Sequence, residues 1–417
     1  MTGLQTAMEF LIRPPEEQEL TAFRIALARG FGRHPRPEPE DTELLLKLFE
    51  RERSLAVFDA GQIIGTTGIH SYEMAVPGGA VMPVAGVTMV TVAATHRRRG
   101  ILRQIMARQL SDIRDLGEPG AVLWASESSI YGRFGYGLAI QHERWTIDRR
   151  FAVLAHSPAV TGQVRWVAEP EARLIFPQVW ARTRLMKPGG IARNEAMWNN
   201  WFHDPEYRRF GGGEAYFFAV YEEAGRAEGY VSYRIRRNYE DGSDAHVVMV
   251  GELTTATDAA YAALWRFLLN IDLTAKVESW GRAVDEPLWW MLEGPRRLIR
   301  TPHDAIWLRL LDVPAALSRR AYMTPGRLVI EVKDEFCPWV SGRYALDGGP
   351  DGAQCSATTA NPDIVLGAAD LAAVYMGGHR LSPLARAGRV EERTHRALAK
   401  ADAMFAWDVA PYFPHGF

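Results

Sequence analysis

The stretch Thr95-His96-Arg97-Arg98-Arg99-Gly100 joins two segments of different periodicity. Val87 to Val92 is rich in β-branched residues, and Ile101, Leu102, Ile105, Met106 and Leu110 recur at helical spacing. A strand running through a turn into a helix gathers backbone N–H groups that have no partner within the helix, at the positive end of its dipole. Such a turn suits a phosphate or pyrophosphate. Gly100 lets the backbone approach an anion, and Arg97, Arg98 and Arg99 supply guanidinium groups. The turn is neither a Gly-Lys-Ser/Thr phosphate loop nor a Gly-x-Gly-x-x-Gly dinucleotide turn, and an Arg-rich turn alone also fits a solvated connection. Ala121 to Ala125 reads as a parallel neighbouring strand, followed by a loop and short helix, Ser126 to Gly137, carrying Tyr131, Phe134 and Tyr136. Two strands whose carboxyl ends lie side by side create a crevice for a ligand, and the Tyr131 hydroxyl could point into it; a core ring is the other reading.

The end of the chain is a second place where chemistry could reside. Met404-Phe405-Ala406-Trp407-Asp408-Val409-Ala410-Pro411-Tyr412-Phe413-Pro414-His415-Gly416-Phe417 is far more apolar than a fraying terminus and is stiffened by two prolines. It implies a docked tail. Docked in the crevice, it would fix the α-carboxylate of Phe417 there as an anion; a packed terminus without chemistry is the alternative.

Val92 to Leu102, followed by Ile130-Tyr131-Gly132-Arg133-Phe134-Gly135-Tyr136-Gly137, resembles the GCN5-related N-acetyltransferase (GNAT) superfamily, and more narrowly the Eis (enhanced intracellular survival) family of actinobacterial acetyltransferases. The resemblance implies acetyl-CoA as co-substrate and no metal. It implies that Val90, Thr91 and Val92 meet pantetheine where the two strands splay, and that Arg97, Arg98, Arg99, Gly100, Ile101, Leu102 and Ser126 complete the cofactor site around the pyrophosphate. Leu102 stands in the last position of the family's Arg/Gln-x-x-Gly-x-Gly/Ala turn, as this subfamily tends to have. It further implies Tyr131 as general acid for the CoA thiolate and the terminal carboxylate of Phe417 as general base. Phe31, Arg33, His34 and Met89 would lie near the acceptor side, with Gly416 beside the terminal residue, and the assembly would be a homohexamer. Trp124, at the inner end of the second strand, could wall one side of the pocket, a core tryptophan being the other reading.

The chemistry accommodates both roles. An amine must lose a proton to attack a thioester and the leaving thiolate must gain one, so a base and an acid are needed on opposite sides of the carbonyl. An α-carboxyl has a reference pKa of ~3.5, and burial against rings such as Tyr412 and Phe413 would raise it. The acceptor class is less defined. Gly416 before the terminal residue, and Arg33, His34 and Arg36 after Phe31, oppose a polycation such as an aminoglycoside unless Glu38, Glu40 or Asp41 folds back. Lysine peptides and polyamines compete with aminoglycosides as acceptors. A reading of another class is a non-catalytic binding protein whose last domain holds an apolar ligand.

The elements that must position these groups fall into three sections. A chain of 417 residues with 47% hydrophobic content exceeds one ordinary core. A formal net charge of −2 gives no reason to expect nucleic acid. Cys337 and Cys355 make no disulfide framework or metal spacing, and no leader or membrane-length apolar run is evident, so a reducing cytoplasm without membrane insertion is expected. Section 1–155 reads as strand Met8 to Ile12, helix Pro15 to Gly30, a Pro-rich connection at Pro35, Pro37 and Pro39, and a helix through Leu44, Leu45, Leu48 and Phe49. Strands Leu55 to Phe58 and Ile63 to Tyr72, turned by Asp59-Ala60-Gly61-Gln62, lead through Met74 to Val84 into Val87 to Val92.

Section 156–304 reads as a worn copy of the first. Val220 to Val231 repeats the hairpin of Val57 to Thr67, and Val248 to Ala263 overlays Val87 to Leu102, with Asp258 in the place of Arg97 and Tyr261 in that of Gly100. An acidic residue and a bulky ring erase an anion site while the apolar pattern is kept, so this copy is expected to lack cofactor. An accidental overlay of strand and helix patterns is the alternative. Section 305–417, opening on Ile306 to Leu311, has strands near Arg327 to Val332, Arg343 to Leu346 and Asp363 to Leu366. Helices follow at Ala368 to Met376 and Pro383 to Ala387, and the section resembles a sterol carrier protein-like domain that supplies the C-terminal carboxylate. The expected class is therefore α/β and α+β multidomain: two tandem GNAT-type mixed-sheet domains and a sterol carrier protein-like α+β domain.

Overall fold

The computed structural model describes residues 10–35, 39–209 and 211–417. The Met8 start of the first expected strand, together with Arg36, Pro37 and Glu38 and the side chains of Glu40, Asp41 and Leu45, lies outside what is described.

The first unit runs β1 (Leu11–Arg13), α1 (Leu20–Gly30), α2 (Pro39–Leu48), β2 (Leu55–Asp59), β3 (Gln62–Ala75), β4 (Val81–Val92), α3 (Ile101–Asp115), β5 (Gly120–Trp124), α4 (Ser128–Tyr131) and β6 (Gly137–Asp148). Strands β1 to β4 are antiparallel, and β4 and β5 are parallel over Val84↔Gly120, Ala85↔Ala121 and Gly86↔Val122. β3 continues to Ala75, and β4 starts at Val81.

The second unit repeats the order. It contains β7 (Gln163–Val167), α5 (Glu169–Thr183), α6 (Glu195–Phe202), β8 (Phe217–Glu223), β9 (Arg226–Arg236), the small hairpin β10 (Tyr239–Glu240) and β11 (Ser243–Asp244), then β12 (His246–Thr255), α7 (Asp258–Leu269), β13 (Thr274–Arg282) and α8 (Leu288–Met291). β12 and β13 are parallel, as β4 and β5 are. The two sheets merge into a twelve-stranded one of order β1-β2-β3-β4-β5-β14-β6-β13-β12-β9-β8-β7.

Strand β14 (Ile299–Leu310) lies between β5 and β6, pairing antiparallel with both. Residues 305–310, read from sequence as the opening of the third section, therefore belong to the large sheet. The reason is physical: beyond Gly86, β5 turns away from β4, and β14 takes its other edge from Leu310↔Gly120 to Ile306↔Trp124.

The third unit follows with α9 (Val313–Arg319), β15 (Gly326–Lys333), β16 (Gly342–Gly349), β17 (Gly352–Ala357), β18 (Ile364–Gly367), α10 (Ala368–Tyr375), α11 (Leu381–Arg386), β19 (Val390–Glu392) and α12 (Ala397–Phe405). Its five strands form a sheet of order β17-β16-β15-β18-β19. Its core is continuous with that of the first unit: Met82, Val84 and Leu110 share one cluster with Tyr322, Leu371 and Tyr375. α10 seats on β6 where Gly137 leaves room, since a Cβ there would collide with the Ala369 carbonyl. Cys337 and Cys355 are free thiols, and no helix among the described residues is long and apolar enough to cross a membrane.

Candidate active site

The anion turn is built by three backbone features. β4 pairs with β5 only as far as Gly86, so the backbone of Val87 to Val92 faces no strand on that side. A bulge at Met89, left-handed at φ 56°, bends β4 there. The Thr66 hydroxyl holds the bend from below, 2.7 Å from the Met89 carbonyl and 2.7 Å from the Thr91 hydroxyl. At the turn, Arg98 (φ 64°) and Gly100 (φ 81°) are left-handed, which makes the backbone concave ahead of α3. The space a Gly100 side chain would enter is open, so glycine serves here for its φ. Arg97, Arg98 and Arg99 are exposed, whereas Ile101 is buried with Ile105 and can offer a ligand only its backbone. His96 ties the turn to β2, with Nε2 3.1 Å from the Asp59 carboxylate. The arrangement fits a pyrophosphate with an extended arm lying along β4.

Tyr131, at the end of α4, is buried beside Tyr136 with ring centroids 5.8 Å apart. Burial pushes its pKa up to about 12, so the hydroxyl remains protonated at neutral pH. The loop after it is braced from the third unit. Gly135, left-handed at φ 80°, packs against the guanidinium of Arg309, which pairs with Asp334 in the interior. Asp334 also accepts the N–H groups of Phe336 (3.0 Å) and Cys337 (2.8 Å), while the Phe336 ring lies 4.9 Å from that of Phe134. Ser126 is exposed just past β5.

The C-terminal tail docks, as its composition implies. The Tyr412 N–H donates to the Pro188 carbonyl at 2.7 Å, and the Trp124 indole N–H donates to the His415 carbonyl at 3.1 Å. Phe413 is fully buried, and Phe417 packs on the same core as Val90, Leu102 and Trp124. The Phe417 ring lies 5.3 Å from that of Tyr72, 5.8 Å from that of Phe413 and 6.4 Å from that of His70. Phe417, Leu102 at the start of α3 and Tyr131 thereby pack on one continuous core.

Of the residues expected on the acceptor side, Phe31 and Arg33 are exposed just beyond α1, whose last residue, Gly30, abuts the Thr91 side chain. Met89 instead turns its side chain under α1, toward Phe23 and Phe58. Gly416 is exposed. Burial, with Arg193 and His70 nearby, pushes the His415 pKa down to about 3, and burial also lowers that of His70. Both imidazoles are neutral at pH 7 and do not compete with a nearby carboxylate as its counter-ions.

Sequence reasoning missed His70, Tyr72, His142 and Arg193. His70, Tyr72 and His142 belong to ordinary mixed segments and gain their place beside the tail that folds over them, while Arg193 is buried on Glu252 between Trp180 and Trp198. Among the described residues no His/Cys/Asp/Glu group is placed to hold a metal ion.

Three family models match the chain: an acetyltransferase (GNAT) domain over residues 11–139, another acetyltransferase (GNAT) domain over 189–310, and a sterol carrier protein domain over 313–414. The chain is 42% identical over 406 residues to an uncharacterized N-acetyltransferase of Streptomyces coelicolor, covering 96% of this chain and 98% of that one. It is 37% identical over 358 residues to the N-acetyltransferase Eis of Mycobacterium bovis, covering 84% of each. The crystal structure of Eis1 from Mycobacterium abscessus superposes with a TM-score of 0.85 at 32% identity, covering 98% of this chain and 100% of that one.

Proposed function

Because the chain belongs to the Eis family of GCN5-related N-acetyltransferases, with two GNAT domains followed by a sterol carrier protein-like domain, we propose that it moves the acetyl group of acetyl-CoA onto a primary amine by direct attack. The observation that carries this reading is the docked tail, which packs Phe417 against Tyr72 of the unit that also holds the anion turn and Tyr131. Acetyl-CoA, when bound, supplies the acyl group as a thioester. Arg97, Arg98, Arg99 and the backbone from Gly100 to Leu102 receive its pyrophosphate, Val90 to Val92 present their free edge to pantetheine, and Ser126 borders the site. The Phe417 carboxylate takes one proton from the acceptor ammonium, the amine nitrogen bonds to the acetyl carbon, the carbon–sulfur bond breaks, and the second proton lost by nitrogen ends on the departing sulfur, leaving amide and CoA thiol.

Tyr131 faces the sulfur in this scheme. Its pKa of about 12 exceeds the ~8.5 typical of a thiol, so it helps as a hydrogen-bond donor while charge develops on sulfur rather than by surrendering its proton beforehand. The neutral imidazoles of His70 and His415, with Arg193 nearby, favour a lysine-type amine of low charge over a polycationic aminoglycoside. A binding role for the last domain is disfavoured because Tyr322, Tyr375 and Phe405 fill its interior around the buried Arg320.

A homohexamer completes the proposal. Exposed apolar side chains such as Trp280 and Ile299 are of the kind a partner copy covers, and a monomer by light scattering at micromolar concentration overturns that part. The direct test of the activity is release of free CoA thiol from acetyl-CoA by protein with an untagged C-terminus, against lysine peptides, monoamines, polyamines and aminoglycosides. Release with one class names the acceptor. Failure to bind acetyl-CoA removes the proposal.

A further inference from the structure

The second GNAT domain keeps the splayed strands of the first but fills the gap between them. β12 pairs with β13 only as far as Val250↔Ser279, and β12 is irregular between Val250 and Leu253, where the overlay sets the Met89 bulge of β4. Past that point Arg282, at the end of β13, reaches across and donates from Nη2 to the Leu253 carbonyl at 3.4 Å. In the overlay Leu253 stands where the first copy has Val92. The edge left free beside β4 is thus occupied beside β12 by a side chain of the protein itself.

The filling is an ion pair sealed from water. Arg282 Nη2 lies 2.8 Å from Glu286, with side-chain exposures of 2% and 3%. Glu286 also accepts the Ala283 N–H at 2.9 Å and the Tyr261 hydroxyl at 3.0 Å. Tyr261 is the residue that replaces the glycine of the anion turn. A buried ion pair of this sort contributes little net stability over an apolar filling, because desolvating both charges offsets their attraction. Net stability alone does not account for it.

The tail passes over this filled gap. The Ala410 N–H donates to Asp285 at 2.7 Å, and the Tyr412 ring centre lies 5.9 Å from the Arg282 guanidinium. His142, on β6, stands between Tyr412 (5.2 Å) and Trp124 (5.6 Å), and its Nε2 faces the Phe413 N–H at 3.5 Å. Gly189, left-handed at φ 105°, lets the 187–190 loop close on the Tyr412 carbonyl.

We infer that the cofactor crevice lost from the second domain has become the seat of the C-terminal tail, with Arg282, Glu286 and His142 as positioning residues that fix Tyr412 and Phe413 and so aim the Phe417 carboxylate at the acceptor amine. The inference rests on the reading of that carboxylate as general base. It gives the worn domain a role in the reaction: it holds the base supplied to the first domain's site. None of the three positioning residues touches the substrates in this account.

The test separates position from stability. Glu286→Gln alone strands the buried Arg282 charge and endangers folding, so the informative variant is Arg282→Met with Glu286→Leu, which removes both charges and keeps the volume. Three quantities are read on the full-length chain: kcat and KM for acetyl-CoA, the rate at which a carboxypeptidase releases Phe417, and Tm. The expected result is an unchanged KM and a Tm lowered only modestly, by the partners lost to the Tyr261 hydroxyl and the Ala283 N–H, with kcat lowered and Phe417 release accelerated by about tenfold or more each. His142→Phe should reproduce the same split. A folded double variant with wild-type kcat and wild-type protection of Phe417 overturns the inference. Removing Phe417 from the otherwise native chain distinguishes the underlying reading: full activity without it overturns the carboxylate's role and the inference together. An inactive truncated chain beside an unimpaired double variant overturns the seat alone.

Discussion

The indole N–H of Trp124, at the end of β5, donates to the carbonyl of His415 at 3.1 Å, tying the strand beside the proposed active site to the tail two residues before the chain ends. β5 has left β4 by that point and its other edge is paired with β14, so Trp124 meets the tail at the strand's free end. The bond sets where Gly416 and Phe417 begin.

Trp124→Phe keeps a ring in contact with His142 and Phe413 but removes the donor. One neutral hydrogen bond is worth about 1 kcal/mol, roughly a fivefold effect. We expect kcat to fall by about that factor or somewhat more while KM for acetyl-CoA holds. A kcat equal to wild type would show that the tail is aimed without this bond.

Tyr131→Phe removes only a hydroxyl. If that hydroxyl assists the departing sulfur, kcat drops by ~10² to 10⁴ with acetyl-CoA affinity intact, as is usual for loss of a general acid. Equilibrium binding of acetyl-CoA alongside steady-state turnover checks this. Because burial holds the Tyr131 pKa near 12, the wild-type rate should show no loss attributable to this group on going to pH 9.

One extra residue after Phe417 moves the free carboxylate and leaves the ring where it was. Activity should vanish while Tm stays within a few degrees. An extended chain with full activity would assign the base elsewhere.

Gly100→Ala places a Cβ in open space but at φ 81°, where an L-residue is strained by about 1 kcal/mol or more. The turn should relax away from its concave form, raising KM for acetyl-CoA several-fold with little change in kcat. Titration with CoA alone, which needs no turnover, reads the same loss.

The strand–turn–helix around Gly100, the short helix that carries Tyr131 and the docking of the tail were legible in the sequence because each rests on a local pattern: a strand-to-helix turn with Gly100, a tyrosine just past a strand, and a terminus too apolar to fray. The second copy was legible because its apolar positions persist even where Asp258 and Tyr261 stand in the places of Arg97 and Gly100. The insertion of β14 between β5 and β6 was not, since Ile299 to Leu310 carries no mark of partners more than a hundred and fifty residues away. Nor did the spacing of His70, Tyr72 or His142 show which of their strands' faces the tail would cover. The burial of Arg193 and Arg282 is likewise set by ion-pair partners, Glu252 and Glu286, that only the fold supplies.

Protonation of the imidazoles beneath the tail gives the last prediction. Burial, with Arg282 beside it, pushes His142 from 6.5 to about 4, and burial with Arg193 and His70 pushes His415 from 6.5 to about 3. Above pH 6.5 both rings are neutral whether the chain is folded or not, and the native stability is fully present. As pH falls from there the unfolded chain takes up protons that the native chain refuses, so stability declines until the native rings themselves protonate near pH 4 and then 3. Each unit of difference is worth about 1.4 kcal/mol, so the combined loss reaches on the order of 8 kcal/mol once both native rings are protonated. A protonated His142 also turns from acceptor to donor and can no longer face the Phe413 N–H, which should free the tail. Tm followed from pH 7.5 to 4.5 should therefore fall more steeply in the wild type than in His142→Gln combined with His415→Gln, and Phe417 should become a carboxypeptidase substrate at the acid end. Parallel Tm profiles for the two proteins would show that these histidines do not carry the acid sensitivity.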